Sequence, residues 1–91
     1  MLSWDDVLKV KPDIVTRETE GELVVVLPEQ GKFVVLNATG ARVLQLADGT
    51  RALHNIAQAI ADEFAADIVQ VKEDVMTFAS TLVDRQVLSV T

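Results

Sequence analysis

Few side chains in this sequence are of the types that catalysis or metal binding requires, and they do not stand together. His54 is the single histidine and cysteine is absent, so neither a zinc site nor a histidine-assisted nucleophile has the partners that it needs. Ser3, Ser80 and Ser89 lie outside any Gly-x-Ser-x-Gly sequence, the turn that exposes the nucleophile of many hydrolases. We therefore predict no catalytic site, no bound metal and no cofactor, and we expect that the protein is not an enzyme.

Phosphate-binding loops and paired catalytic carboxylates are not indicated either. The glycines are spread singly along the chain, so they form no loop that could surround a phosphate. Neighbouring carboxylates such as Asp62 and Glu63 point in different directions on a helix, which is typical of a solvated face. With one Trp, three Phe and no Tyr, the chain offers little surface on which nucleic-acid bases could stack. The function that remains is the binding of a partner.

The composition predicts one folded domain over residues 1–91. Apolar residues make up 49% of the chain and charged residues 24%, values typical of a globular protein, and the length is that of a single domain. No apolar stretch approaches the roughly 20 residues that span a bilayer. The charged start from Met1 to Lys11 does not resemble a signal peptide. We expect a cytoplasmic protein with no membrane partner.

The net charge of −6 disfavours nucleic acid as a partner, because Lys and Arg supply most of the affinity for a phosphate backbone. From Arg51 onward, the basic residues are Arg51, Lys72 and Arg85. A nucleic-acid binder remains an alternative of another class, and it would require a basic helix. A purely structural subunit is a further alternative, which would associate with a partner protein in the absence of any peptide.

The first half of the chain has the pattern of strands. β-Branched and apolar residues dominate Ile14–Glu18, Glu22–Leu27 and Lys32–Leu36, as is typical of strands. Gly21 and the segment Pro28–Gly31 separate them with residues that favour turns. Two short turns between three strands predict an antiparallel meander.

The second half has the pattern of three helices. The predicted N-caps of the three helices are Asn37, Thr50 and Asp67. The first helix is predicted to end at Asp48-Gly49 and the third at about Arg85. Leu88 to Val90 are predicted to add a short terminal strand. The short loop around Ala65-Ala66 suits a helix-turn-helix-like pair. The fold class is therefore α+β, a three-stranded antiparallel sheet followed by three helices.

The strand Lys32–Leu36 and the third helix carry more apolar residues than one small core needs. Alternation places Phe33 and Val35 on one face of the strand and Val34 and Leu36 on the other. The apolar arc of the helix covers about half of its circumference, whereas a helix on a small sheet usually needs a narrower stripe. This surplus indicates a groove between strand and helix, the usual receptor for an extended peptide. The alternative is that the core or the Trp4 segment covers the arc.

The order of these elements resembles that of PqqD-like proteins. The resemblance extends from about Lys11 to Val90 and is carried by short motifs in a fixed order. These are Leu36-Asn37, Thr39-Gly40-Ala41, Val43-Leu44, Asp48-Gly49-Thr50, Ile56-Ala57 with Ile60, and Glu73-Asp74-Val75 followed by Phe78, Leu82 and Val83. It implies a winged helix-turn-helix-like fold that acts as a recognition element for ribosomally made, post-translationally modified peptides (a RiPP recognition element).

Such domains bind the leader of a precursor peptide as an added strand and deliver it to a modifying enzyme. Carried over to this chain, the resemblance implies a strand edge and one wall of a groove on the third helix. The implied peptide-binding residues are Lys32, Phe33, Val34, Val35 and Leu36 on the strand, and Val69, Lys72, Glu73, Met76, Ala79 and Val83 on the helix.

Two subfamilies imply different partners. In the lasso-peptide type, which we favour, a free-standing domain serves a leader peptidase and a cyclase. In the alternative, pyrroloquinoline quinone type, the domain serves a radical SAM enzyme. The run from Gly31-Lys32-Phe33 into Thr39-Gly40-Ala41 is more similar to the lasso type, whereas Pro28-Glu29 is more similar to the quinone type. The lasso type often has an aromatic pair where Phe33-Val34 stands here.

Overall fold

The computed structural model describes residues 2–91. Its elements, in chain order, are β1 (Val7–Val10), β2 (Val15–Thr19), β3 (Glu22–Leu27), β4 (Lys32–Leu36), α1 (Ala38–Leu46), β5 (Asp48–Ala52), α2 (Leu53–Phe64), α3 (Ile68–Asp84) and β6 (Leu88–Val90). A single 3-10 turn, Pro28–Gln30, connects β3 to β4.

The predicted meander is present as a three-stranded antiparallel sheet in the order β2-β3-β4. Val25 lies opposite Val34 on one side and opposite Thr16 on the other. Gly21 and Gly31 have φ angles of 74° and 63°, which explains glycine at both turns because other residues rarely adopt this conformation. β2, the first strand of this meander, begins at Val15, one residue later than predicted.

A second three-stranded sheet, in the order β5-β1-β6, extends the predicted fold. The expected terminal strand is its third member, β6, and pairs with β1 through Val10 and Leu88. The segment before Lys11 therefore contributes the central strand of this sheet. The β2-β3-β4 sheet and the three helices match the α+β, winged-helix-like architecture expected for the chain, whereas the second sheet was not predicted.

The prediction that Thr50 caps the second helix is wrong. Thr50 lies in β5, where Asp48 Oδ1 accepts hydrogen bonds from the Thr50 N–H at 3.0 Å and from its hydroxyl at 2.5 Å. The helix begins at Leu53 instead. Its first free N–H groups are satisfied by the N-terminal segment, since Leu53 N donates to Asp6 O at 2.9 Å and His54 N to Trp4 O at 3.0 Å. A side-chain cap is not needed there.

The other two predicted caps are confirmed. Asn37 Oδ1 accepts from Gly40 N at 3.0 Å at the start of α1, and Asp67 Oδ1 accepts from Val69 N at 2.9 Å at the start of α3. α3 ends at Asp84, close to the predicted Arg85.

The core lies between the β2-β3-β4 sheet and the helices. Its members include Leu23, Val25 and Leu27 from the inner face of β3. The helices add Ile56, Ile60, Val71, Val75 and Leu82, all 5% exposed or less. Between residues 2 and 91, no helix is long and apolar enough to cross a membrane.

Candidate functional site

The strand β4 is a free edge of its sheet. It pairs with β3 on one side only. Within residues 2–91, no backbone hydrogen bond joins Lys32–Leu36 to any element other than β3. Every second residue of an edge strand directs its N–H and C=O groups away from the sheet. β4 therefore offers a row of backbone donors and acceptors to an additional strand.

Apolar side chains border this edge on both faces of the sheet. Val34 is half-buried and faces the core side, while Leu36 is only 3% exposed and belongs to the core. On the opposite face, Phe33 is 67% exposed and Val35 is 47% exposed. Lys32, opposite Leu27, is exposed at the beginning of the strand. A strand added beside β4 would therefore meet apolar neighbours whichever way its side chains point.

The face of α3 that is nearest to β4 contains Phe78. Gly40 lies between Phe78 and Leu36, so that a methyl group at Gly40 would be 3.1 Å from the Phe78 ring and 3.2 Å from Leu36 Cβ. At the other end of the strand, Gln30 Nε2 donates to Arg85 O at 3.3 Å. α3 thus runs antiparallel to β4, with its middle near Leu36 and its C-terminus near Gln30.

Helical spacing places Asp74 and Thr81 on the same side of α3 as Phe78. Thr81 is exposed, and Asp74 and Phe78 are half-buried. The peptide-binding residues predicted from the sequence include none of these three, although Asp74 and Phe78 occur in the motifs that carry the family resemblance. The helical wheel together with a glycine at position 40 is the signal that could have identified this face, because a missing Cβ permits close approach of a neighbouring side chain.

Most of the predicted helix wall lies on the other side of α3. Val69, Lys72, Glu73, Met76 and Thr77 surround a hollow of about 620 Å³ together with Trp4; we call it the Trp4 hollow. Lys72 Nζ lies 5.7 Å from the centre of the Trp4 ring, a cation–π distance. The Trp4 segment therefore packs beside this part of the arc, as the alternative interpretation proposed.

The remaining two members of the predicted wall are also displaced from β4. Val83 borders a smaller hollow with Leu2 and Val90. Ala79 is 0% exposed, so the prediction that it lines a surface groove is wrong, and the side chain serves the core. Part of the apolar arc of α3 lies outside the core, since Val69 is 65% exposed. Its excess, however, partly contacts an N-terminal segment whose path the sequence did not reveal.

The charges of the two C-terminal helices are unsuited to nucleic acid. α2 contains no Lys or Arg, and α3 contains only Lys72, whereas acidic residues occur on both. His54 is exposed on α2. Across residues 2–91, no three His, Cys, Asp or Glu side chains converge in a way that could hold a metal ion. The arrangement around β4 can bind a polypeptide through main-chain hydrogen bonds and apolar contacts.

Comparison with known proteins agrees with this architecture. The family model described as "Coenzyme PQQ synthesis protein D (PqqD)" matches residues 22–88. A relative from Xanthomonas oryzae pv. oryzae (strain KACC10331 / KXO85), named "PqqA binding protein", is 37% identical over 70 residues, which are 77% of this chain and 74% of the relative.

Two solved structures share the fold. The structure of "TbiB1 in Complex with the TbiA(beta) Leader Peptide" has a TM-score of 0.76 at 25% identity and covers 89% of this chain and 94% of its own. The solution structure of the PqqD part of Methylobacterium extorquens PqqCD, a RiPP recognition element, has a TM-score of 0.80 at 24% identity and covers 98% and 95%. Because the PqqD family model matches most of the chain and a relative is more than 30% identical to it, this chain belongs to the PqqD family.

Proposed function

We propose that this protein binds the leader segment of a ribosomally synthesised precursor peptide as a strand added to β4, and presents the peptide to a modifying enzyme. The observation that carries the proposal is the free edge of β4 with apolar side chains on both of its faces. A relative that is named for binding PqqA and a fold neighbour solved with a leader peptide support it.

The two kinds of contact at β4 would have different roles. Main-chain hydrogen bonds to the strand edge fix the register of the peptide and do not depend on its sequence. Selection among leader sequences requires side-chain contacts. The leader side chains that point to the core side of the sheet would lie between Val34 and Phe78. We propose Asp74, Phe78 and Thr81 as the helix wall, in place of the residues around the Trp4 hollow.

The protein would contribute binding and not chemistry. Its helices and strands supply no general base with a positioned nucleophile, and a leader held along β4 leaves the rest of the precursor free to reach an enzyme. The chemical step would then belong to the partner enzyme that receives the complex. A radical SAM enzyme is the partner for a PqqA-type precursor, and a leader peptidase with a cyclase is the partner for a lasso-type precursor.

The class of precursor is a separate question. A lasso-type leader, expected from the sequence, stays a prediction. The identity of 37% to a PqqA binding protein favours a PqqA-type leader as the second candidate. Both candidates use the same edge, so the experiment includes both.

The test is a fluorescence-anisotropy titration of labelled leader peptides of both types against the protein. We expect one type to bind with a Kd of about 1 μM or below, a free energy of about −8 kcal/mol. Val34→Asp places a charge beside the added strand and should weaken binding at least about tenfold, because the carboxylate would lose water without gaining a partner.

The matched control is Thr16→Asp, which changes a residue on the same inner face at the opposite edge of the sheet. It should leave leader affinity unchanged, and circular dichroism would verify that both variants fold. If neither leader type binds, the function is wrong. If Thr16→Asp weakens binding and Val34→Asp does not, the leader binds at the other edge.

A further inference from the structure

The β2-β3-β4 sheet covers the core with one face only. This inner face carries Leu23, Val25 and Leu27 of β3 and Leu36 of β4, all of which are buried. The opposite face, which we call the outer face, holds the alternate residues of the same strands. In the described part of the chain, none of its five apolar residues belongs to the core or packs against it; they are Val15, Val24, Val26, Phe33 and Val35.

The strand register joins these five side chains into one patch. In one row across the sheet, Val26 lies between Val15 and Phe33. In the next row, Val24 lies beside Val35. The three residues on the outer strands are exposed, Val15 to 54%, and the two valines of β3 are half-buried between them. A contiguous apolar patch on a protein surface often marks a binding site, whereas scattered apolar residues do not.

The outer face has no net charge, although the whole chain has a net charge of −6. The charged residues that the three strands direct to it are Arg17, opposite Val24, and Glu22, opposite Thr19. Neither forms an ion pair within residues 2–91. Two copies of the chain can therefore bring their outer faces together with equal numbers of cations and anions at the contact.

We propose that the outer face is a self-association surface, on which the outer face of a second copy of this chain packs as in a two-layer β-sandwich. Faces of antiparallel sheets pack with their strands nearly aligned and their side chains interdigitated. Two copies of one face have the same pleat and the same strand spacing, so their shapes match. A two-fold symmetric contact of this kind closes at the dimer.

The size of the outer face predicts a weak dimer. Three strands about 4.8 Å apart and about five residues long cover about 14 by 17 Å. Two such faces bury far less than the roughly 1,600 Å² of a standard stable interface. We therefore expect a dissociation constant on the order of 0.1 mM, at which monomer and dimer coexist.

The dimer leaves the backbone edge of β4 accessible. The N–H and C=O groups of a strand point sideways, toward its neighbours in the sheet, whereas a second copy on the outer face lies above the sheet. A dimer would consequently keep two β4 edges free, one in each copy. Self-association does not require a leader, so the proposal is independent of the function proposed at β4.

The first test is sedimentation equilibrium from about 10 μM to about 1 mM protein, a range that includes the expected dissociation constant. We expect the average mass to rise toward twice that of one chain. The methyl NMR signals of Val24 and Val26 should shift over the same range. Because β3 is paired on both sides, a molecule must lie on the outer face to contact these methyl groups, and edge-to-edge pairing would not reach them.

The dimer should tighten as the salt concentration increases. Added salt screens the repulsion between two chains of net charge −6, and an apolar contact loses nothing by it. We expect the dissociation constant to fall between about 0.05 M and about 0.5 M NaCl. A rise would mean that ion pairs hold the copies together, and it would overturn the apolar interface.

Val35→Lys places a charge on the outer face and should weaken the dimer at least about tenfold, because the ammonium group would lose water without gaining a partner. Lysine is common on edge strands, and circular dichroism would verify the fold. The matched control is Val69→Lys, the same substitution at a 65% exposed site on α3. It makes the same change in net charge and should leave the dissociation constant within about twofold.

Three further results would overturn the proposal. The first is an average mass that stays at that of one chain up to about 1 mM, which would leave the outer face to a different protein. The second is a dimer that forms without a shift of the Val24 and Val26 methyl signals, which would place the contact at a strand edge or on a helix. The third is an equal loss of dimer in Val35→Lys and Val69→Lys. None of these measurements contains a leader peptide, so their failure is distinct from a failure of leader binding at β4.

Discussion

Gly40 lies where α1, α3 and the end of β4 meet. A side chain at this position would compete for space with the Phe78 ring and with Leu36, both a little over 3 Å from where its Cβ would lie. The residue is in a helix, where glycine is intrinsically unfavourable by roughly 0.5–1 kcal/mol relative to alanine. Its presence there is explained by this close packing and not by helix propensity.

Gly40→Val should therefore destabilise the protein, by about 1–3 kcal/mol, since overpacking forces neighbouring side chains from their preferred positions. Ala38→Val is the control, because Ala38 is exposed on the same helix and the substitution adds the same kind of side chain to solvent. Urea unfolding would measure both. Equal losses of stability in the two variants would show that the close packing at Gly40 carries no cost.

Thr81 and Val69 distinguish the two possible helix walls. Both are exposed on α3, so neither substitution should disrupt the core, and they point in different directions. If the wall beside β4 contains Phe78, Thr81→Asp should weaken leader binding by about tenfold, or roughly 1.4 kcal/mol. Val69→Asp should leave it unchanged, because Val69 borders the Trp4 hollow. The opposite ranking in an anisotropy titration would restore the wall predicted from the sequence.

At the scale of elements, local patterns determined most of what could be predicted. The meander from β2 to β4 is specified by its two turn glycines, Gly21 and Gly31, and by the β-branched runs on either side of them. The caps Asn37 and Asp67 act within their own helices. All of these interactions lie within a few residues of each other in the sequence, so they can be recognised without knowledge of the fold.

The elements that were missed depend on distant partners. β1 pairs with β5, about 40 residues away, and with β6, about 80 residues away. Its four residues, Val7–Val10, have no strong pattern of their own. The start of α2 was misplaced for the same reason, since carbonyl groups of Asp6 and Trp4 replace a local cap. The position of the Trp4 segment in turn decides which side of α3 remains free.

The role of β1 predicts a large effect of Leu8. Leu8 is 0% exposed and lies in the strand at the centre of the β5-β1-β6 sheet. Leu8→Ala should lower the free energy of unfolding by about 2–5 kcal/mol, the usual cost of a Leu-to-Ala change in a core. Val69→Ala, at a 65% exposed site, should stay within about 0.5 kcal/mol. A small effect of Leu8→Ala in urea unfolding would mean that β1 is dispensable.

At the scale of the whole molecule, the two free edges of one sheet are the most notable property. Edge strands invite pairing with other chains, and proteins commonly protect them. Here both β2 and β4 lack a second strand partner within residues 2–91. The net charge of −6 opposes pairing between two copies of the chain at either edge.

Binding of a leader at β4 should also increase the free energy of unfolding of the whole domain. A leader that binds the folded chain and not the unfolded one stabilises it by RT ln(1 + [L]/Kd), about 2.7 kcal/mol at 100 times Kd. For a domain of this size, the thermal midpoint should rise on the order of 10 °C. In Val34→Asp, a tenfold weaker Kd at the same leader concentration would reduce the stabilisation to about 1.4 kcal/mol.

Differential scanning calorimetry of each protein with and without leader measures this shift, and each variant is compared with its own free form. Thr16→Asp should retain the full increase in midpoint. Because the comparison is internal, any loss of stability caused by Val34→Asp itself cancels. An undiminished increase in Val34→Asp would place the leader away from β4, whereas no increase in the unsubstituted protein at saturating leader would contradict binding to the folded state.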